Sequence, residues 1–178
     1  MPHLPATVVV SAHRQRGVTL IELMIGLFIM VLLLLAALPF GARWVDGNRQ
    51  MHARSLLWEG VSQARAVALR NPAAQRIGSP AARLQLRAGQ LEVLVPGDTT
   101  PLWSTALRSD VRLKLSDGNG FADAAAMADS PSPGFDCVNF DPAGIRLPGA
   151  EGCSDTDPAL DRVAVGVSTQ DLLYVDLL

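Results

Sequence analysis

Twenty consecutive residues without a charged side chain, Leu23 to Ala42, dictate most of what this chain can become. At 1.5 Å rise per residue such a run spans about 30 Å as a helix, the thickness of a bilayer's hydrocarbon core. Arg14 and Arg16 stand just ahead of it. The positive-inside bias keeps that end in the cytoplasm, which places residues 43–178 on the far side of the membrane. One residue breaks the hydrophobic logic, and it is Glu22. A carboxylate at the centre of a membrane helix costs about 2.5–3.5 kcal/mol, so it either sits at the membrane edge or has a partner.

The next segment keeps a helical period. Pro39 removes a backbone donor and crowds the preceding turn, so a kink in the helix is expected there. From Arg49 to Arg70, the residues Met51, Leu56, Leu57, Val61, Ala64, Ala68 and Leu69 fall on one broad face. That is the pattern of a helix packed against a sheet. Asn71 can take a left-handed cap and Pro72 cannot continue a helix, so the element ends there.

After Pro80 the period switches to two. Arg83 to Arg87 and Leu91 to Val95 alternate around Ala88-Gly89, which predicts a β-hairpin. Val111 to Leu115 reads as a third strand, with a weaker one over 101–107. Residues 117–134 form a loop with room for a short helical turn. Strand-like runs return at 135–140, 162–167 and 172–177, the last two as a closing hairpin. The fold class is α+β: a long N-terminal transmembrane and amphipathic helix packed on a C-terminal antiparallel β-sheet domain.

The residues Arg16-Gly17-Val18-Thr19-Leu20-Ile21-Glu22, followed by the apolar run, resemble the class III signal of type IV prepilins and pseudopilins. The resemblance implies a pilin-like protein in which a dedicated prepilin peptidase cuts after Gly17 and the new N-terminus, Val18, is N-methylated. It implies that Glu22 is the assembly residue. Where the family most often has Phe, this chain has Val18. Pro39 also matches the family's pattern. The organisation then expected is a cleaved leader over 1–17, a transmembrane half-helix over 18–42, an amphipathic half over 43–71 and a periplasmic β-rich domain over 72–178. The partners implied are the peptidase, other pilins or pseudopilins reached through the helix, and the inner membrane before assembly.

Physical chemistry supports that carry-over. Cleavage frees an ammonium at Val18, four residues before Glu22, and a carboxylate in a first helical turn suits the helix dipole. In a filament the ammonium of one subunit can neutralise Glu22 of the next. A mismatched register leaves Glu22 unpaired in apolar surroundings, so it acts as a register key. The stretches Ala53 to Asn71 and Val138 to Ile145 further resemble the FimT/GspH branch of minor pilins and minor pseudopilins. That branch serves both the type IV pilus and the type II secretion system, and the choice between them stays open. A secretory signal peptide cut near Ala36-Ala37 is the lesser alternative; such peptides have shorter apolar cores. A single-pass membrane protein with an unrelated periplasmic domain is another.

Other chemistry is scarce. His3 and His13 lie in the expected leader, leaving His52 on the helix as a surface or filament-contact residue. No Ser-His-Asp or Cys-His set can be assembled from what remains, and no phosphate-binding glycine loop is present. No enzymatic activity, cofactor or metal is expected. Cys137 and Cys153 lie in the expected periplasmic part, an oxidising compartment. A disulfide is the favoured reading over two buried thiols. Glu151, Asp155, Asp157 and Asp161 form an acidic loop, read as a solvated face in preference to a calcium site, with Asp117 and Asp123 weaker candidates still. Residues 43–114 carry eleven Lys/Arg against five Asp/Glu, whereas 115–178 carry two against eleven. The basic residues Arg49, Arg54, Arg65, Arg70, Arg76, Arg83 and Arg87 lie on the helix and first strands, and the chain ends acidic. Phosphate binding needs clustered cations, so nucleic acid is not an expected partner.

Overall fold

The computed structural model describes residues 19–150 and 152–177, with the backbone alone described at 38–42. It divides into two compact units, Met1–Phe40 and Gly41–Leu178. Helix α1, Leu20–Arg70, contributes to both. Strands β1 (Ala82–Arg87), β2 (Gln90–Leu94), β3 (Trp103–Ala106) and β4 (Val111–Ser116) follow, then the short helix α2 (Ala124–Asp129). Strands β5 (Cys137–Phe140), β6 (Arg162–Val167) and β7 (Leu173–Asp176) complete the order.

The second unit is an α+β domain built on the later part of α1. Gln50, Ala53, Leu57, Val61, Ala64 and Ala68 are buried along it, at the three- and four-residue spacing of one helix face. Met51 and Leu69, expected on that face, are instead 65% and 61% exposed. Each stands one residue, or about 100°, round the helix from a buried position. Small residues let the helix lie close to the strands. At Gly60 a Cβ would meet Leu84 Cδ1 at 2.9 Å, so a side chain there would collide with a buried leucine. The helix ends as expected: Asn71 adopts φ +45° and its side-chain amide exchanges hydrogen bonds with the backbone of Gln75.

The hairpin of β1 and β2 turns on Ala88 and Gly89 between the paired residues Arg87 and Gln90. Both turn residues have positive φ, +49° and +77°, the two-residue geometry that matches strand twist. The seven strands among the described residues do not form one sheet. One sheet has the order β3-β2-β1-β5 and the other β4-β6-β7, all neighbours antiparallel. Leu84, Leu91, Val93 and Val138 of the first and Leu115, Val163, Val165 and Val175 of the second join the helix in one buried cluster.

Two polar side chains on α1 tie it to the second sheet. Gln50 Nε2 donates to Val165 O and to Asp171 O, each at 2.7 Å. One turn further on, Arg54 Nε donates to Tyr174 O at 2.9 Å. Buried amides need such partners, since an unmade bond there costs about 1–3 kcal/mol.

Candidate functional site

The start of α1 is capped by its own sequence. Thr19 Oγ1 accepts from the Glu22 amide at 3.3 Å, and Thr19 O accepts from Leu23 N at 3.1 Å. Thr19 is thus the N-cap and Glu22 the third helical residue, the spacing of a capping box. Glu22 is exposed, and it is the acidic residue of the first turn, where the helix dipole favours a negative charge. From Leu20 to Ala37 the helix is long and apolar enough to cross a membrane, and no residue of that window is buried in the protein. Leu20, Ile21, Leu23, Met24 and Phe28 are among the large side chains left uncovered. Fourteen large apolar side chains between Leu20 and Leu35 form a surface of a kind that water does not tolerate uncovered. Gly17 and Val18 lie outside the described residues. Pro39 lies within α1, whose helical assignment continues on both sides of it.

In the second unit the cysteine pair is a disulfide. Cys137 on β5 is bonded to Cys153, with Cα atoms 5.2 Å apart. Asp136 braces the same junction by accepting from Ser154 N at 2.9 Å and from Ser154 Oγ at 2.8 Å. The acidic loop beyond it is not a uniformly solvated face. Asp155 is 1% exposed, and its Oδ1 receives Arg146 Nη1 at 2.7 Å. Arg146 also donates to Leu160 O and Pro158 O. Burial pushes the Asp155 carboxyl above the usual carboxylate range, with Arg146 pulling it down and Asp136 pushing it further up. The loop folds inward because the Arg146 fork can satisfy a carboxylate and two carbonyls at once.

Three of the remaining acidic candidates, Asp157, Asp117 and Asp123, serve local structure. Asp157 is exposed and accepts from Ala159 N, and Asp161 is half-buried. Glu151 lies outside the described residues. Asp117 closes a turn by accepting from the amides of Asn119 and Gly120, and Asp123 caps α2 through Ala126 N at 2.7 Å. Among the described residues no three His, Cys, Asp or Glu side chains come together as a metal site.

Several of the basic residues are engaged within the fold. Arg49 bridges Asp46 and Asp110, and Arg54 caps Tyr174 O. Arg83 donates to Asn139, and Arg65 stacks over the Phe140 ring. Arg70, Arg76 and Arg87 are exposed, as is His52.

Residues 12–38 match the family model of the prokaryotic N-terminal methylation motif. The amino-terminal segment is type IV prepilin-like. This chain matches no curated protein and no solved structure. The matched segment contains the Thr19 cap, Glu22 and the uncovered apolar helix. A prepilin-like motif of this kind implies processing by a prepilin peptidase and assembly with other pilins. Together with the apolar helix it points to membrane anchoring, and prepilin-like proteins are structural in kind. The Thr19 cap was readable in advance from Thr19-Leu20-Ile21-Glu22, the T-x-x-E pattern. The Arg146–Asp155 pair carried no such signal.

Proposed function

We propose that this chain is a minor pilin, a structural subunit that primes or caps assembly of a type IV pilus. In this reading the prepilin peptidase cuts after Gly17, and Val18 becomes the N-methylated first residue of the mature chain. The subunit waits in the inner membrane as a single-pass protein with its C-terminal domain in the periplasm. Arg14 and Arg16 on the cytoplasmic side support that orientation, and so does a disulfide in the domain beyond the helix. Assembly then withdraws the helix from lipid and buries it among other pilins, with Glu22 opposite the ammonium of a neighbouring Val18. Pro39 provides a soft point in the helix.

The observation that carries the reading is an uncovered apolar helix with Glu22 in its first turn, inside a methylation motif. The mass of the N-terminal peptide from the native host tests it. The expected species begins at N-methylated Val18, and a retained leader or an unmodified terminus overturns it.

A second reading keeps the same processing and makes the chain a minor pseudopilin of a type II secretion system. Its support is the likeness of Ala53 to Asn71 and of Val138 to Ile145 to the FimT/GspH branch. A deletion strain separates the two. Loss of pili with normal secretion favours the pilus, and loss of secretion with normal pili favours the secretion apparatus. A role in DNA uptake is the least supported reading, because residues 115–178 carry two Lys/Arg against eleven Asp/Glu and several cations of the helix and first strands are engaged within the fold.

A further inference from the structure

A face of α1 outside the core carries large apolar side chains that the domain leaves bare. Trp44, Met51, Trp58 and Leu69 are 76%, 65%, 63% and 61% exposed. At about 100° per residue they fall within about 40° of one another around the helix axis. Trp44, Met51 and Trp58 recur every seven residues, the period that keeps a seam facing one partner helix. Four positions after each of them stands a small polar residue, Asn48, Ser55 and Ser62, all exposed, and Leu69 continues that second row. The two rows are the d and a positions of a heptad. Ser55 Oγ donates to Met51 O at 3.0 Å, and Ser62 Oγ donates to Trp58 O at 2.9 Å. With their hydroxyls satisfied inside their own helix, both serines can be covered without stranding a donor. Large and small side chains thus alternate along the seam, with shallow depressions beside Met51 and beside Ser55.

The flanking charges identify the partner. In a parallel helix pair a g residue of one chain meets the e residue five positions further along the other, and such pairs set partner and orientation. In this frame Arg54 is g and Glu59 is e, opposite in sign and both exposed. Inside one helix, residues five apart are not neighbours, and among the described residues neither Arg54 nor Glu59 forms an ion pair. Arg54 commits only Nε, to Tyr174 O. A second copy in register supplies each charge with its opposite, twice over by symmetry. Asn48 at an a position points the same way, because a single asparagine there fixes register and oligomeric state.

We propose that α1 from Trp44 to Leu69 pairs in parallel with the same stretch of a second copy of this chain, with Arg54 of each opposite Glu59 of the other. Two copies inserted in one membrane by the same segment run in the same direction, as the pairing requires. The contact goes beyond the filament reading and does not depend on cleavage after Gly17, so either can fail without the other.

The test uses the full chain in detergent micelles under mild oxidation. Cys137 and Cys153 are bonded to each other, so a cysteine introduced on α1 supplies the reactive thiol. Ser55→Cys sits on the seam and should form a covalent dimer on non-reducing gels about tenfold faster than Gln63→Cys, which is exposed on the polar side of the helix. Equal rates, or no dimer from either, overturn the proposal, and an antiparallel pairing would separate the two Ser55 positions and give that same failure. Adding Glu59→Arg to the Ser55→Cys chain turns two cross pairs repulsive and should slow cross-linking about tenfold. Arg54→Glu on top of it restores opposite signs and should recover the rate. With near-ultraviolet circular dichroism at the wild-type value, an unchanged rate in the first variant or no recovery in the second refutes the Arg54–Glu59 register. The comparison of Ser55 with Gln63 decides the pairing even where a charge variant misfolds.

Discussion

Replacing Arg146 by methionine isolates the cost of leaving a buried carboxylate alone. In the folded protein Arg146 Nη1 donates to Asp155 Oδ1 at 2.7 Å and to Leu160 O at 2.6 Å, and Nη2 donates to Pro158 O at 2.7 Å. The two side chains are 5% and 1% exposed. Methionine fills much of the same space but supplies none of these donors. Removing one partner of a buried pair costs about 3–5 kcal/mol. For a domain of this size each kcal/mol moves the midpoint by roughly 3–5 °C. Near-ultraviolet circular dichroism of the full chain in detergent should therefore show Tm lower by about 10–20 °C.

The pH dependence gives that variant a second signature. Burial already raises the Asp155 pKa in the folded state. Between the ordinary and the raised value, the folded protein keeps a proton that the unfolded chain has released. Stability falls as pH rises through that window and recovers as pH drops below it. Without Arg146 the window extends upward, so the deficit of Arg146→Met should shrink on acidification. Adding Asp155→Leu removes the stranded charge and should recover a large share of the loss. A deficit below about 1 kcal/mol, the level of an exposed pair, would refute the reasoning. So would a deficit indifferent to acid, or a double variant no more stable than the single one.

Three further outcomes are expected. Leu57→Ala empties a fully buried site between α1 and the sheets; denaturant unfolding should register a loss of about 2–5 kcal/mol. Cys137→Ser with Cys153→Ser opens the sixteen-position loop that the disulfide closes; it should lower stability by about 3 kcal/mol, and an unchanged midpoint would show the cross-link idle. Glu22→Ala should leave membrane insertion intact and block incorporation into filaments, scored by immunoblot of sheared filament fractions. Normal incorporation of that variant contradicts the register role of Glu22.

What the sequence disclosed follows the range of the interactions involved. The Ala88-Gly89 hairpin and the Asn71 helix stop were legible, because turn and cap chemistry is written within a few residues. The buried face of α1 was legible in outline. Met51 and Leu69 were misplaced, since a broad apolar arc does not say which edge of it turns inward. The division into two sheets was not legible: β1 pairs with β5, more than fifty positions later, and β4 with β6 across α2. Nothing local marks those choices. The acidic loop misled for the same reason, because the partner that draws Asp155 inward is an arginine in a Pro- and Gly-rich stretch without periodicity. Nothing near Arg65 in the sequence marks its stacking on the Phe140 ring, far along the chain.

The pegs at Gln50 and Arg54 have a mechanical meaning. The buried face of the helix combines the small residues Ala53, Gly60, Ala64 and Ala68 with Leu57 and Val61, whose side chains already resist sliding along the axis. Hydrogen bonds to Val165 O, Asp171 O and Tyr174 O act as pins across that plane. A slip of one turn, about 5.4 Å, would pull both donors from their carbonyls and strand the buried Gln50 amide. Axial load on the later part of α1 is thus borne by the second sheet in shear, and several bonds must break together before the domain can travel along its helix.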